Sequence, residues 1–245
     1  MSSTITITYG ENVENHIGNQ QIGQHIKSGL SADRLKQIRD VLVNKKYDCE
    51  YIKLNDMLTT NINVPEAGLL IVRNFVDTFF NQNISNTMHN TLKNLNWDKK
   101  ALMKGTVKNK KARWNLCFAN FDQEPDYANG KGRIYDFNKL PQLLQIKKFI
   151  ESLVNIEMNA EGNYYYDSSC YIGYHGDAER KIVVAVRFGD QFPISFKWFK
   201  NNKNVTEAKT IMLNGGDLYI MSEKTSGFDW RKSSIYTLRH GANVE

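Results

Sequence analysis

Short segments rich in β-branched and aromatic residues dominate the C-terminal third of the chain. Gly, Asn and Asp separate several of these segments, and the apolar residues within them follow strand-like patterns. This arrangement is typical of the short antiparallel strands of a barrel or sandwich. The predicted strands cover residues 181–188, 193–199, 210–213, 217–221 and 234–239.

The N-terminal part combines both periodicities. Residues 4–9 alternate with period two and predict a strand, whereas Ser31 precedes a stretch with Leu35, Ile38 and Leu42 on one helical face. We therefore expect residues 1–66 to form a small α/β extension ahead of a main domain at residues 67–245.

Strand and helix patterns also precede the strand-rich region within the main domain. Residues 68–75 predict an apolar strand, and the following residues predict a helical stretch that reaches Leu92. Pro141 suits the first position of a helix from Leu140 to about Glu157. The expected fold class is α+β, mainly β.

A dense basic run lies between residues 99 and 113 and ends next to Trp114. One interpretation is a solvated loop. The other is a lid that faces nucleic acid, with cationic side chains on phosphates and the indole ring stacked on a base. On the second interpretation, Arg113, Trp114 and Asn115 are the predicted substrate-binding residues.

Composition gives only a little information on the binding partners and the cellular compartment of the protein. The formal net charge is +6 and the isoelectric point is near 9.0, which favours an anionic partner such as nucleic acid. The three cysteines form no Cys-x-x-Cys pair, which fits a reducing compartment. With no secretory leader and no apolar run of about 18 residues, the expectation is a soluble intracellular protein, in cytoplasm or nucleus.

A candidate metal site comes from three residues of the strand-rich region. His175 and Asp177 are two positions apart, and His240 follows much later, at the end of another predicted strand. Two histidines and one carboxylate form the facial triad of non-haem iron(II) oxygenases, which leaves open positions on the metal. The spacing lets the first two side chains point the same way, while the third ligand must come from a different strand.

The sequence around this triad resembles the AlkB-like dioxygenases. The segment Asn163-Tyr-Tyr165 looks like the Asn-x-Tyr motif of that family, and Ile172-Gly-Tyr-His175-Gly-Asp177 looks like its Ile-Gly-x-His-x-Asp segment. Residues 181–189 and 216–221 are similar to later strands of the family. The resemblance covers roughly residues 163–240.

This resemblance implies a double-stranded β-helix, or jelly roll, and an oxidoreductase that uses iron(II), 2-oxoglutarate and O2. It also implies that Asn163 and Tyr165 bind 2-oxoglutarate; a cluster of tyrosines that only pack in the core is the alternative. The family's activity would be hydroxylation or demethylation of a substrate.

One feature of the family pattern is missing from the sequence. AlkB-like enzymes usually carry two arginines on a strand after the distal histidine, one of which grips the C5 carboxylate of 2-oxoglutarate. Either the sequence is a piece of a longer chain, or another cation binds this carboxylate: Arg187 first, then Lys197, then Arg239. An additional segment, 223–233, also lengthens the approach to His240 and is a candidate substrate loop.

Three functions remain open at this point. A nucleic-acid dioxygenase is favoured by the basic run and by the resemblance, and it would flip a base into the pocket. A protein side-chain hydroxylase of the same fold and a catalytically inactive jelly-roll binding module are the alternatives. The position of the basic run relative to the cavity mouth discriminates between the first two.

Overall fold

The computed structural model describes residues 3–59 and 62–244. Within these residues the chain forms seventeen strands: β1 (Thr4–Gly10), β2 (Asn12–Glu14), β3 (Gln21–Gly23), β4 (Asp48–Lys53), β5 (Gly68–Arg73), β6 (Lys100–Met103), β7 (Thr106–Asn109), β8 (Trp114–Ala119), β9 (Ile134–Asp136), β10 (Asn159–Tyr165), β11 (Ile172–His175), β12 (Val183–Gly189), β13 (Phe192–Lys200), β14 (Lys203–Asn204), β15 (Lys209–Leu213), β16 (Leu218–Met221) and β17 (Thr237–Ala242).

The helices in the same residues are few and mostly short: α1 (Ala32–Asn44), α2 (Phe75–Phe80), α3 (Ser85–Lys93), α4 (Pro141–Val154) and α5 (Glu223–Ser226). None of them is long and apolar enough to cross a membrane. The prediction of a mainly β fold is confirmed at this level.

Two large sheets organise the fold. The first has eight strands in the order β4-β5-β16-β12-β1-β10-β8-β9, and the second joins β11, β17, β13 and β14, with β15 also paired to β13. Only the β8–β9 pair is parallel among the described strands; the other paired strands are antiparallel. Two separate hairpins, β2–β3 and β6–β7, complete the described strands.

The first strand of the chain lies in the middle of the eight-stranded sheet. β1 pairs with β10 on one side and with β12 on the other, so that Thr6 stands opposite both Asn163 and Arg187. β4 pairs with β5 at the edge of the same sheet. Residues 1–66 therefore contribute strands within the sheet of the predicted main domain, rather than only packing beside it.

Apolar side chains pack on both faces of this sheet. On one face, Ile5, Ile7 and apolar residues of the helices α1, α3 and α4 form the largest core cluster. On the other face, Val183 and Ala185 pack against residues of the five-stranded sheet, including Phe196 and Trp198. The helices, the eight-stranded sheet and the five-stranded sheet thus form three successive layers.

Local signals in the sequence correctly predicted where α1 and α4 begin. The Ser31 side chain accepts a hydrogen bond from the Arg34 backbone N–H at the start of α1, and Pro141 is the first residue of α4. The predicted single helical stretch up to Leu92 is wrong in one respect. Asn81 adopts a left-handed conformation after α2, which ends that helix before α3 begins.

Candidate metal centre

Three side chains from two distant parts of the chain meet between the two large sheets. His175 ends β11 and His240 lies within β17, and these two residues face each other in the ladder between the two strands. Asp177 follows β11 directly. Its Oδ1 atom lies 3.5 Å from Nε2 of His175 and 3.6 Å from Nε2 of His240. All three ligand atoms lie within 4.8 Å of one another.

The surroundings of both imidazole rings suit metal binding. The Nδ1 atom of His175 lies 2.8 Å from the backbone carbonyl of Gly173. Since a carbonyl only accepts, Nδ1 donates to it, which leaves Nε2 as the ring nitrogen available to a metal. Burial, followed by the neighbouring ring of His175, lowers the pKa of His240 to about 4. This histidine is therefore neutral near pH 7 and able to act as a ligand.

The third ligand is held in its charged form. Burial alone would raise the pKa of Asp177, but the Arg180 guanidinium and the two histidines hold it well below its usual range. The Asp177 backbone N–H donates to the Ser226 carbonyl at 2.9 Å. The additional segment 223–233 therefore supports the turn that carries the carboxylate.

Close packing against this segment explains Gly176 between the two ligands. A Cβ atom at position 176 would lie 2.1 Å from the carbonyl oxygen of Gly227. Only glycine allows the backbone of the additional segment to approach this closely.

The cluster fits a divalent transition metal such as iron(II). Bonds of about 2.1 Å to one ion place adjacent ligand atoms roughly 3 Å apart in an octahedral arrangement. The Asp177 oxygen lies 3.5 and 3.6 Å from the two Nε2 atoms, and all three atoms lie within 4.8 Å of one another, so they would move closer together around an ion. Two imidazoles and one carboxylate on one side of an ion form the facial arrangement that leaves further coordination positions open.

A cavity of about 700 Å³ lies in front of these ligands. Asn163, Tyr165 and Arg187 line it from the eight-stranded sheet, as does Thr6 of β1. Because residues alternate along β12, Arg187 points to the same side as Val183 and Ala185, as predicted. The structure therefore brings the first-ranked candidate for carboxylate binding into the cavity that holds the metal ligands.

Arg187 is buried, and no counter-ion pairs with it among the described residues. Its exposed fraction is 1%, and neither Nε nor Nη1 has a hydrogen-bond partner among the described residues. The hydroxyl of Thr6, directly across the ladder, also lacks a partner among them. The guanidinium carbon lies 5.3 Å from the centre of the Phe192 ring. A buried cation and a buried hydroxyl without partners suit an anionic group from outside the chain.

The other two candidates for carboxylate binding lie elsewhere. Lys197 and Arg239 are paired neighbours on β13 and β17, and each adjoins a residue that points inward, Phe196 and His240 respectively. Side chains alternate along a strand, so both cations face away from the cavity. The ammonium of Lys197 lies over the Tyr174 ring, and the guanidinium of Arg239 lies over Phe199. Neither residue lines the cavity.

The predicted substrate-binding residues divide into two groups. Arg113 and Asn115 line the cavity, and both donate to the Oδ1 atom of Asn163, leaving the amide Nδ2 end of Asn163 as its donor. Trp114, between them on the chain, points to the other face. Its ring stacks on Tyr166 at 4.4 Å and does not line the cavity. The indole therefore lies on the face of the sheet opposite the pocket.

The basic run forms a hairpin next to the cavity. The strands β6 and β7 occupy residues 100–109, and Lys110, Lys111 and Arg113 follow as cavity-lining residues. Lys110 is buried and donates to oxygens of Asn15 and Asn115. Burial lowers its pKa to about 8. The C-terminal end of the basic run thus borders the pocket.

Sequence reasoning missed a charged cluster on the cavity wall. Arg180 contacts Glu161, Asp177 and Glu179, and all four side chains are buried or nearly so. Burial raises the pKa of Glu179 to about 7. One signal was available: Glu161, Asn163 and Tyr165 follow one another at a spacing of two, which places them on one face of a strand.

The fold and the cluster together define a mainly β protein with a candidate centre of two histidines and one carboxylate. No family model matches the chain. It is 42% identical over 249 residues to the uncharacterized protein R156 of Acanthamoeba polyphaga mimivirus, an alignment that covers 100% of this chain and 97% of the viral protein. The chain therefore belongs to the same family as this mimivirus protein.

Proposed function

We propose that the protein is an iron(II)- and 2-oxoglutarate-dependent dioxygenase of the AlkB-like type, with a jelly-roll core, that acts on nucleic acid. The proposal rests on two groups of residues that line one cavity. The cluster of His175, Asp177 and His240 lines the same space as the guanidinium of Arg187, whose Nε and Nη1 have no hydrogen-bond partner in residues 3–59 and 62–244. A metal and a dicarboxylate that chelates it require this pair of features.

Each part of the cavity has a distinct task on this proposal. The two histidines and Asp177 hold iron(II). Arg187 and the Thr6 hydroxyl bind the far carboxylate of 2-oxoglutarate, while Nδ2 of Asn163 donates to the co-substrate. When bound, iron(II), 2-oxoglutarate and O2 supply the oxidising chemistry that hydroxylates a substrate carbon or removes an N-methyl group.

The walls of the cavity supply orientation and exclude water. Val183 and Met221 of the eight-stranded sheet and Ile194 of the five-stranded sheet are buried, apolar lining residues. They surround the polar groups with a medium in which charge interactions are stronger than in water. The protein thus positions the reactants, and the bound groups carry the redox chemistry.

Nucleic acid is the favoured substrate because basic side chains border the pocket. Lys111 and Arg113 line it, and Lys104 and Lys108 are exposed on the adjoining hairpin. Cationic groups around a pocket mouth suit a phosphate backbone, with one base turned into the cavity. Methylated single-stranded oligonucleotides are therefore the first substrates to test.

The test is succinate formation from 2-oxoglutarate by iron-loaded protein in the presence of O2. We expect turnover by the wild type and background levels for the double variant His175→Ala, Asp177→Ala. The matched control, His25→Ala with Asp33→Ala, removes an exposed histidine and an exposed aspartate outside the cavity and is expected to keep full turnover.

Two results would contradict the proposal. Iron binding without succinate formation, with and without a panel of methylated oligonucleotides and peptides, would favour an inactive binding module. Turnover stimulated by peptides and not by oligonucleotides would favour a protein hydroxylase.

A further inference from the structure

Arg180 joins the metal ligand Asp177 to the eight-stranded sheet. Its Nη2 atom lies 2.7 Å from Oε2 of Glu161 and 2.6 Å from Oε1 of Glu179. Its Nε atom lies 3.4 Å from Oδ2 of Asp177. The side chain is 5% exposed. One guanidinium thus contacts three carboxylates on the cavity wall.

The two oxygens of the Asp177 carboxylate have different neighbours. Arg180 lies on the side of Oδ2, whereas Oδ1 is the atom closest to both histidine Nε2 atoms. We infer that Arg180 is a positioning residue, which holds Asp177 with one oxygen directed at the metal. This inference rests on the metal centre of the proposed function.

The far end of the guanidinium is itself anchored. Glu161 lies on β10 and accepts hydrogen bonds from the side-chain amides of Asn115 and Asn163, at 3.2 and 3.4 Å. The orientation of the metal ligand is therefore tied to the strand that carries the predicted co-substrate residue Asn163.

Packing and shape make arginine specific at this position. A Cβ atom at Gly10 would lie 2.9 Å from Cδ of Arg180, so the glycine leaves room for the arginine stem. The planar guanidinium donates from Nη2 to both Glu161 and Glu179 and from Nε to Glu179, and Nε also lies within ion-pair distance of Asp177. Its shape holds these contacts in a fixed geometry. A lysine ammonium at the same site provides the charge without this fork.

Positioning and simple charge make opposite predictions for metal binding. If Arg180 acted only as a nearby positive charge, it would repel a cation, and its removal would tighten metal binding. If it orients the ligand, its removal weakens metal binding, because residues that hold metal ligands in place typically contribute about 10- to 100-fold in affinity.

The experiment compares Arg180→Lys and Arg180→Gln with the wild type by titration with Co(II), which reports both affinity and coordination geometry through its visible absorption. Arg73→Lys is the matched control. Arg73 also joins two carboxylates, Asp217 at 2.8 Å and Glu50 at 3.1 Å, but does not line the cavity. Circular dichroism checks that each variant is folded.

We expect Co(II) to bind roughly 10- to 100-fold more weakly to both Arg180 variants, with an altered absorption spectrum, and to bind Arg73→Lys as it binds the wild type. Unchanged affinity in Arg180→Lys, or tighter binding in Arg180→Gln, would overturn the inference while leaving the metal centre intact. Failure of the wild type to bind Co(II) would instead overturn the metal centre itself. If the uncharged variant does not fold, Arg180→Lys alone decides, since it keeps the positive charge.

Discussion

Two buried arginines line the same cavity and differ in what surrounds them. Arg180 is in contact with three carboxylates, and of its nitrogen atoms only Nη1 is buried without a hydrogen-bond partner in the described part of the chain. Arg187 pairs with no carboxylate there, and both its Nε and its Nη1 lack a partner. Both are almost fully buried, with exposed fractions of 5% and 1%.

This difference is the one expected between a cation that stabilises the structure and a cation that binds a ligand. Burying a charge is costly unless other groups satisfy it. Around Arg180 the chain itself provides those groups, so its role is to hold its neighbours in place. Around Arg187 the compensation is incomplete, which is the state expected of a site that completes its contacts with a ligand.

The largest expected effect is on stability and comes from Arg180→Met. This change leaves Glu161, Asp177 and Glu179 buried without their shared cation, and breaking such a cluster costs about 3–5 kcal/mol. Urea denaturation of the metal-free protein should therefore show a lower free energy of unfolding than the wild type. An equal loss of unfolding free energy in Arg187→Met would contradict the proposed difference between the two arginines.

The second-largest expected effect is on binding of the co-substrate 2-oxoglutarate and comes from Arg187→Met. Losing the cation should weaken binding of 2-oxoglutarate by roughly 100-fold, about 2.8 kcal/mol, as measured by calorimetry on protein loaded with Mn(II). Unfolding free energy should be unchanged or higher, because an uncompensated buried charge has been removed. Full affinity for 2-oxoglutarate in this variant would show that another group binds its carboxylate.

A smaller effect concerns the basic hairpin. Replacing Lys108 and Lys111 by serine should lower the salt dependence of single-stranded oligonucleotide binding, by about 0.7 in the log–log slope for each phosphate that a lysine no longer neutralises. Lys93→Ser with Lys148→Ser is the control, since these exposed lysines lie on the helices that cover the opposite face. Equal slopes for both double variants would show that the hairpin does not contribute to oligonucleotide binding.

The smallest effect is expected for Trp114→Leu. The indole stacks on Tyr166, and the ammonium of Lys99 lies 4.2 Å from the ring centre, so its faces are occupied by the protein. Oligonucleotide affinity should change less than about twofold, whereas loss of a base-stacking ring costs roughly 1–3 kcal/mol. A tenfold loss in fluorescence anisotropy titrations would place the ring in contact with substrate.

Local patterns in the sequence were sufficient for part of the site. Two predictions depend only on residues close together in the sequence. One is that His175 and Asp177, two residues apart, lie together, and the other is that side chains alternate along β12. The structure has both features. The hairpin at residues 100–109 was ambiguous because exposed lysines are compatible with a loop or with a solvated strand pair.

Other features depend on contacts between distant residues and had no local signal. Arg180 meets Glu161 across a sheet, and only the tertiary arrangement reveals that three acids share one guanidinium. The exclusion of Lys197 likewise required the pairing of β13 with β17. Propensity and periodicity describe a segment and its faces, but they carry no information on which strands become neighbours.

The central position of β1 has a consequence for how the protein is made. This strand leaves the ribosome before the other described strands, yet one of its two partners in the sheet begins only at Val183. At about 5–20 residues per second, the nascent strand waits roughly 9–35 s for that partner. Its apolar residues Ile5 and Ile7 are exposed during this interval, so we expect chaperones to bind the growing chain there. The sheet can close only late in synthesis.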